Sequence, residues 1–511
     1  MIRPFDESSV EADADGVRRY TRLPASVVAL LRSTVEDRPD HEAVVELDGP
    51  RVSYRRLWDG AARVAGGLRT LGVERGDRVA IRHGNGLDWV LGFFGTLMAG
   101  GVVVPVNTRL AESEVDYILG DCTPKVVLAP GTPLPDAAPY VVDDLTRTEL
   151  AGIFYTSGTT GFPKGCMHPH RTVMHNIVGG SMWSSSTKEG VSLSIIPLFH
   201  VTGMQYGMNA PIYMGSTVVM LPRWDREVAG RLISRYKITH WTNIPTMVID
   251  FLASPQLAEF DLSSLAYIGG GGAAMPQAVA ERLLKDFNLA YQEGYGLSET
   301  IAPTHSNPAD RAKQQCLGIP VFNTDARIVD PQTLQELPIG EVGEIIVSGP
   351  QVFLGYWGKP QASAEVFIEF EGKRFFRTGD LGRMDEDGYF FLTDRLKRMI
   401  NASGFKVWPA EVESLLYKHP DVQEACIIGT RDAYRGESVK AVVVLKAHAK
   451  GKTTEDDIIN WARDNMAAYK YPRVVEFVDA LPKSGTGKVM WRTLQEQENA
   501  RNEAAEKPAA A

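Results

Sequence analysis

The chain has 511 residues, 44% of them apolar and 23% charged, and a formal net charge of −9. That length carries two or three domains around a large core, and the acidic balance argues against a nucleic-acid binder or a protein drawn to anionic membranes. The four cysteines, Cys122, Cys166, Cys316 and Cys426, lie far apart with no C-x-x-C pair. This excludes a disulfide framework and a cysteine-based zinc site, and suits a reducing cytoplasm.

The first sixteen residues, MIRPFDESSVEADADG, are acidic and polar and lack the charged-then-apolar pattern of an export signal. Residues 25–35 and 54–71 are apolar at helical spacing, with Leu57, Ala61, Val64 and Leu68 on one face of the second segment. Residues 78–81 read as a strand, and Gly84-Asn85-Gly86 turns into a helix over 87–98. The string GNGLDW lacks the third glycine of a dinucleotide fingerprint. The most apolar run, 90–106, is broken by Gly100, Gly101 and Pro105, so it reads as a buried helix followed by a buried strand and no integral membrane segment is expected. Residues 131–138 are proline-rich and read as an exposed loop.

Next comes YTSGTTGFPKG, residues 155–165. It holds three glycines, four threonine and serine hydroxyls, and Lys164. A strand ending near Phe154, then this loop, then a helix beginning at Cys166 is a way to present backbone N–H groups to a phosphate. Pro163 before Lys164 and Gly165 after it rule out a Walker A loop. The bland alternative is a solvated turn, for which so many donors ending in a lysine are not needed. Further on, strands are expected over 192–196, 216–221, 240–244, 265–268 and 289–292, with a helix over 228–236. Several end in glycine or polar strings: PLFHVTG after the first, GGGG at 269–272, EGYGLSET at 293–300. Alternating α and β elements imply a mostly parallel, helix-covered sheet, and such sheets bind ligands at the carboxyl ends of their strands.

From about Asp325 the texture changes to short strands over 327–329, 343–347 and 389–392, which suggests a small antiparallel β unit. After Asp394 the α/β pattern returns, with helices over 410–417 and 455–466 and strands over 422–429, 439–445 and 474–478. That is enough chain for a second small domain. Residues 496–511 are polar and alanine-rich and read as a frayed helix or flexible tail.

The strings YTSGTTGFPKG, PLFHVTG, YIGGGGAAMP, YQEGYGLSET, GEIIVSGPQVFLGYWGKP, FRTGD, DRLKRMINASGFKVWPAE and PKSGTGK occur in that order. Together they resemble the core motifs of the adenylate-forming superfamily, which includes acyl-CoA synthetases, aryl-CoA ligases, luciferases and peptide-synthetase adenylation domains. The resemblance implies an α/β fold: a large N-terminal domain, 1–394, of two helix-covered, mostly parallel sheets plus a small β-barrel-like unit, and a smaller mobile α+β C-terminal domain, 395–511. It implies a carboxylic acid–CoA ligase that uses ATP, Mg²⁺ and CoA, with a homodimer as an allowed assembly. A carboxylate is a poor electrophile. Its attack on the α-phosphate of ATP gives an acyl-adenylate whose AMP leaves readily, provided the developing phosphate charge is met by fixed donors, a cation and a metal.

The resemblance assigns roles residue by residue. Lys488, otherwise an ordinary surface lysine, is the lysine that bridges the substrate carboxylate and ATP oxygens. Glu299 with Thr159 is the metal pair; on its own, Glu299 could equally be a helix-start capping residue. Thr156, Ser157, Gly158, Thr159, Thr160 and Lys164 form the phosphate loop. Gly271, Gly272 and Ala273 let adenine slide along the backbone, Tyr295 stacks on it, and Glu293, Gly294, Gly296 and Ser298 complete the nucleotide side. Asp380 accepts the ribose hydroxyls, with Arg395 beside it. His200 marks the junction of acyl pocket and CoA tunnel, where peptide-synthetase modules carry an aspartate, so an α-amino acid is not the expected substrate. Lys397 is the hinge on which the small domain turns between the two half-reactions, and Ser403 and Gly404 line the CoA tunnel in the second. Asn401 and Lys406 depart from the common pattern, which has lysine at the first position and glutamine or tryptophan at the second.

Met204, Gln205, Tyr206, Trp241 and the strand ending at Gly270 are expected around the acyl group. Their mostly apolar character favours a medium- or long-chain fatty acid, with an aromatic acid second and a short substituted propionate third. An amide synthetase using an amine in place of CoA would share these motifs. There is no G-x-S-x-G hydrolase elbow and no H-E-x-x-H metalloprotease string.

Overall fold

The computed structural model describes residues 7–12, 14, 17–21, 23–156, 163–395, 398–402, 405–432, 436–484 and 489–506. The chain divides into two compact units. The first holds residues 1–327, 346–377 and 388–390; the second holds 328–345, 378–387 and 391–511. The last crossover, at 390/391, lies close to the expected 394/395 boundary, but two earlier stretches cluster with the second unit as well.

The first unit is built on two sheets. The larger has nine strands, and six run parallel at its centre: Glu42–Glu46, Thr217–Met220, Val191–Ser194, His240–Asn243, Tyr267–Gly271 and Tyr291–Leu297. Short β-branched runs such as TVVM, buried throughout, suit strands covered on both faces. Alternation divides their side chains. Leu193, Val219, Trp241 and Ile268 join Leu232, Ile233, Val248, Phe251 and Leu283 from helices Arg226–Tyr236, Pro245–Leu252 and Gln277–Phe287 in one core. Val44, Val218 and Met220 face the other way, toward Val173, Ile177, Met204 and Met208.

The second sheet has the order Val126–Leu128, Arg78–Ile81, Val102–Pro105, Leu150–Thr156 and Lys164–Pro169. Its last pair is antiparallel, with Thr156 opposite Lys164 and Phe154 opposite Cys166. This corrects the expectation of a helix from Cys166. The chain first returns as a strand, and the helix His170–Trp183 starts only after Pro169, whose φ of −73° sits at its N-cap. The glycine-rich loop therefore joins two strands of a hairpin, and a helix dipole at its exit is not available to a phosphate. Apolar run 90–106 is a helix, Leu87–Met98, and the strand Val102–Pro105, as expected. Among the described residues no helix is long and apolar enough to cross a membrane.

A further five-stranded sheet contains Asp325–Val329, Gly343–Ser348, Phe367–Phe370, Lys373–Met384 and Phe390–Arg395. In the second unit another five-stranded sheet, with Gly436–Leu445 at its centre in a long hairpin with the edge strand Val422–Asp432, is packed by helices Pro409–Leu416 and Glu455–Asn465. Where a frayed helix or flexible tail was expected over 496–511, a helix, Trp491–Glu506, docks on that hairpin, and residues 507–511 lie outside the described residues. Trp491 and Leu494 pack against Cys426, Ile428 and Val442, and polar side chains add to the hold. Glu498, 6% exposed, accepts from Thr430 Oγ1 and Lys440 Nζ, both at 2.6 Å, and Gln495 brackets Gly429, accepting from its N–H and donating to its carbonyl.

Candidate active site

Three segments of the first unit converge around Glu299. Strand Lys164–Pro169 carries Lys164 at its start, opposite Thr156. Ser298–Thr300 forms a single 3₁₀ turn, not the start of a helix, so the capping alternative for Glu299 falls away. The turn is held from behind: His168 Nε2 donates to the Ser298 carbonyl at 2.8 Å, and Asn176 Nδ2 donates to the carbonyls of Thr300 at 2.8 Å and Ile301 at 3.1 Å. Ile301 and Ala302 follow with φ of 49° and 101°. Two consecutive non-glycine residues in the left-handed half of φ cost on the order of 1–3 kcal/mol each, and backbone strain of this kind concentrates at functional sites. The third segment, 353–357, supplies Tyr356. Its hydroxyl donates to Glu299 Oε1 at 2.9 Å, and Lys164 Nζ stands 5.0 Å from the centre of its ring.

The residues expected on the adenine side sit at neighbouring strand ends. Gly271 is the register partner of Gly294, and a Cβ on Gly271 would lie 2.3 Å from the Gly294 carbonyl oxygen, so only glycine permits this approach. Gly272 follows with φ of +87°, and Ala273 is exposed beyond it. Glu293, 7% exposed, accepts from the N–H groups of Gln315 at 2.9 Å and Met275 at 3.3 Å. Burial pushes its carboxyl up to about 7, the two N–H groups pulling the other way. Tyr295, expected to stack on adenine, is 7% exposed with its ring 5.7 Å from that of His305. Gly296 packs against the Ala302 carbonyl.

His200 is half-buried, and its Nδ1 accepts from the Thr202 N–H at 3.3 Å, which leaves the proton of a neutral ring on Nε2. Its segment is pinned by Asn85, which donates to the carbonyl of Ile196 at 3.1 Å and accepts from Leu198 N–H at 2.8 Å. The GNG turn thus serves the histidine loop and not a nucleotide. Met204 is fully buried in the core that includes helix His170–Trp183, and Gln205 Nε2 donates to the Val173 carbonyl of that helix. Tyr206 sets its Cε1 edge against the same helix: a Cβ on Gly180 would come within 2.0 Å of Cε1. Burial raises its phenol first, and Tyr267 and Tyr20 add to the shift.

Trp241 is corrected. It is fully buried on the other face of the sheet, stacked on Trp224 at 5.8 Å and edge-on to Phe251 at 5.2 Å, because it alternates with His240. Gly270 follows the same alternation, next to the Asn243 carbonyl and the Tyr291 hydroxyl. On the face toward Tyr206 the register aligns Ser192, His240 and Tyr267 in one row and Gly269 with Gln292 in the next. The buried Ser194 Oγ, Asn209 Oδ1 and Gln292 Oε1 have no hydrogen-bond partner among the described residues.

Asp380 belongs to the second unit. It is 3% exposed within strand Lys373–Met384, and its N–H donates to Thr378 Oγ1 at 3.1 Å. Arg395 closes strand Phe390–Arg395. The side chain of Arg395, together with Ser157, Gly158, Thr159, Thr160, Lys397, Ser403, Gly404 and Lys488, lies outside the described residues. Among the described residues no three His, Cys, Asp or Glu side chains gather to hold a metal. A single carboxylate such as Glu299 fits a magnesium ion that keeps waters and shares nucleotide phosphates, not an all-protein cage.

The family model described as AMP-binding enzyme matches residues 31–357, and that of the AMP-binding enzyme C-terminal domain matches 411–488. A long-chain-fatty-acid–CoA ligase of Bacillus subtilis is 34% identical over 523 aligned positions, which cover 90% of this chain and 92% of that protein. A feruloyl-CoA synthase of Amycolatopsis is 36% identical over 475, covering 88% and 94%. Among solved structures, ATP-bound MatB from Rhodopseudomonas palustris superposes with a TM-score of 0.88 at 30% identity, covering 94% of this chain and 100% of that one. The anthranilate CoA ligase AuaEII, in complex with anthranoyl-AMP, gives 0.85 at 28%, covering 95% and 98%. With matches over both halves of the chain, the protein belongs to the AMP-binding enzymes of the adenylate-forming superfamily and is an AMP-forming acyl-CoA ligase.

Proposed function

We propose that the acid this ligase activates is compact and carries an aromatic ring or polar substituent. The observation that carries this is Tyr206, set in the segment after His200 and pressed on the bare backbone of Gly180. The rows of Ser192, His240 and Tyr267 and the unpartnered oxygens of Ser194, Asn209 and Gln292 support it, because an alkyl chain would leave buried polar atoms unsatisfied. The medium- or long-chain fatty acid favoured by composition is the second reading, supported by the similarity to the Bacillus ligase.

The substrate carboxylate oxygen attacks the α-phosphorus of ATP, and pyrophosphate leaves. The CoA thiolate then attacks the acyl carbonyl, and AMP leaves. Lys488 bridges carboxylate and phosphate in the first step, the loop from Thr156 to Lys164 holds the β- and γ-phosphates, and Asp380 holds the ribose. His200, its Nε2 carrying the proton, donates toward the carboxylate at the mouth of the acyl pocket. A magnesium ion held by Glu299 and Thr159 would neutralise phosphate charge. Lys397 is the pivot between the two steps, and Ser403 and Gly404 flank the CoA arm in the second.

The test is a panel of benzoates, cinnamates, substituted propionates and C6–C16 fatty acids with ATP and CoA, following AMP release. Highest kcat/KM on a ring-bearing or substituted short acid is the expected result. Palmitate as the best substrate would overturn it, and AMP release independent of CoA would point to an amine acceptor.

A further inference from the structure

The string GEIIVSGPQVFLGYWGKP has no task in the reaction as proposed, yet its second half is stitched to each described part of the phosphate end. The N–H of Phe353 donates to the Glu299 carbonyl at 2.9 Å. Leu354 N–H donates to Met167 O at 3.0 Å, Met167 N–H to Gly355 O at 3.0 Å, and Trp357 N–H to Gly165 O at 2.8 Å, so the segment runs along strand Lys164–Pro169. Beyond it, Lys359 Nζ reaches Asp121 Oδ1 at 3.1 Å, and the other oxygen of Asp121 accepts from Tyr155 at 2.6 Å, at the entry of the glycine-rich loop. One segment thus grips both stems of that loop and the glutamate turn. Gly355 makes the bend at φ of +143°, where a Cβ would fall 2.9 Å from Ser363 Oγ, the atom that accepts the Tyr356 N–H.

Tyr356, 7% exposed, is aimed by these bonds between Glu299 and Lys164. A phenol donor on one carboxylate oxygen fixes the rotamer of the glutamate. The ring face, carrying negative quadrupole density, holds the ammonium. We propose that Tyr356 is a positioning residue that sets the spacing of Glu299 and Lys164, so that one carboxylate and one ammonium meet the same triphosphate. The proposal rests on the reading of Glu299 as the metal-side carboxylate.

The test compares Y356F, Y356L and E299Q in the full chain. Two readouts are used: Mn²⁺ affinity of the enzyme–ATP complex by electron paramagnetic resonance, and the Mg²⁺ concentration for half-maximal ATP–pyrophosphate exchange. Y356F, which keeps the ring, is expected to weaken Mn²⁺ by about 10-fold, the usual size for a lost partner of a metal ligand, with an unchanged KM for the acid. Y356L is expected to raise the KM for ATP as well, through Lys164. If Y356F binds Mn²⁺ like the wild type while E299Q does not, the positioning role is overturned and the glutamate reading stands. If E299Q also binds like the wild type, the glutamate reading falls and the proposal with it. A Y356F protein whose acid KM rises as much as its metal requirement has lost general order, and that result also overturns the proposal.

Discussion

His168 donates from Nε2 to the Ser298 carbonyl at 2.8 Å while its Nδ1 lies 3.0 Å from Thr172 Oγ1. A neutral ring donates from Nε2 and accepts at Nδ1, where the one threonine hydroxyl proton is shared with the Pro169 carbonyl at 2.9 Å. Burial holds its pKa down to about 3, and likewise holds His305 near 3 and His170 and His175 near 4. Their pKa values are lowered, so the unfolded chain takes protons below about pH 6.5 that the folded chain refuses, and their contribution to stability is lost as pH falls from there. Glu293 acts in the opposite sense. Its carboxyl, pushed up to about 7, is protonated when folded and ionised when unfolded between about pH 4.5 and 7, so its contribution is lost as pH rises through that window. At pH 5.5 these five groups together predict a net uptake of about three protons on unfolding. Calorimetric stability against pH checks the slope; a flat or falling curve between pH 5 and 6.5 contradicts it.

The last helix is predicted to be integral to the second unit. In Glu498→Ala, Thr430 loses its acceptor and Lys440 is left with Glu476 at 2.7 Å. Removing one partner of a buried charge pair costs on the order of 3 kcal/mol. Urea unfolding followed through the half-buried Trp461 reads that loss, whereas Arg463→Ala, which breaks an exposed pair with Asp464, should change little.

Tyr206→Ala should open the space beside Gly180. Relative kcat/KM for decanoate over a benzoate is expected to rise by about 10-fold or more, since each methylene accommodated in an apolar pocket is worth ~1 kcal/mol or more. An unchanged ratio would remove Tyr206 from the acyl boundary.

Lys488→Ala should reduce acid-dependent ATP–pyrophosphate exchange by at least about 10²-fold, the loss expected when a donor to transition-state charge is removed. Thioester formation from supplied acyl-adenylate should be spared. Near-normal exchange would exclude Lys488 from the first step.

Local patterns were legible wherever one face of an element is buried: TVVM at 217–220 and the amphipathic 54–70 helix stand as read. The return strand Lys164–Pro169 was misread because its partner, not its own apolar content, makes it a strand. Strand Lys373–Met384 was missed because Gly379, at φ of +70°, and Gly382, whose Cβ would meet the Phe391 carbonyl at 2.6 Å, interrupt the alternation. Motif residues could be named one by one, but their holders could not. Tyr356 reaches Glu299 across 57 residues and His168 reaches Ser298 across 130, and no local pattern encodes such bonds. Trp241 shows the converse: strand alternation from His240 was the signal that should have assigned it to the core.

All four native thiols are buried and unbonded to one another, and desolvation pushes Cys122 up to about 11, Cys426 up to about 12 and Cys166 well above the usual range. They are therefore poor targets for maleimides at neutral pH. A fluorophore pair attached at two engineered surface cysteines would test whether the small domain swings during turnover, without first stripping the natural sulfhydryls from the protein.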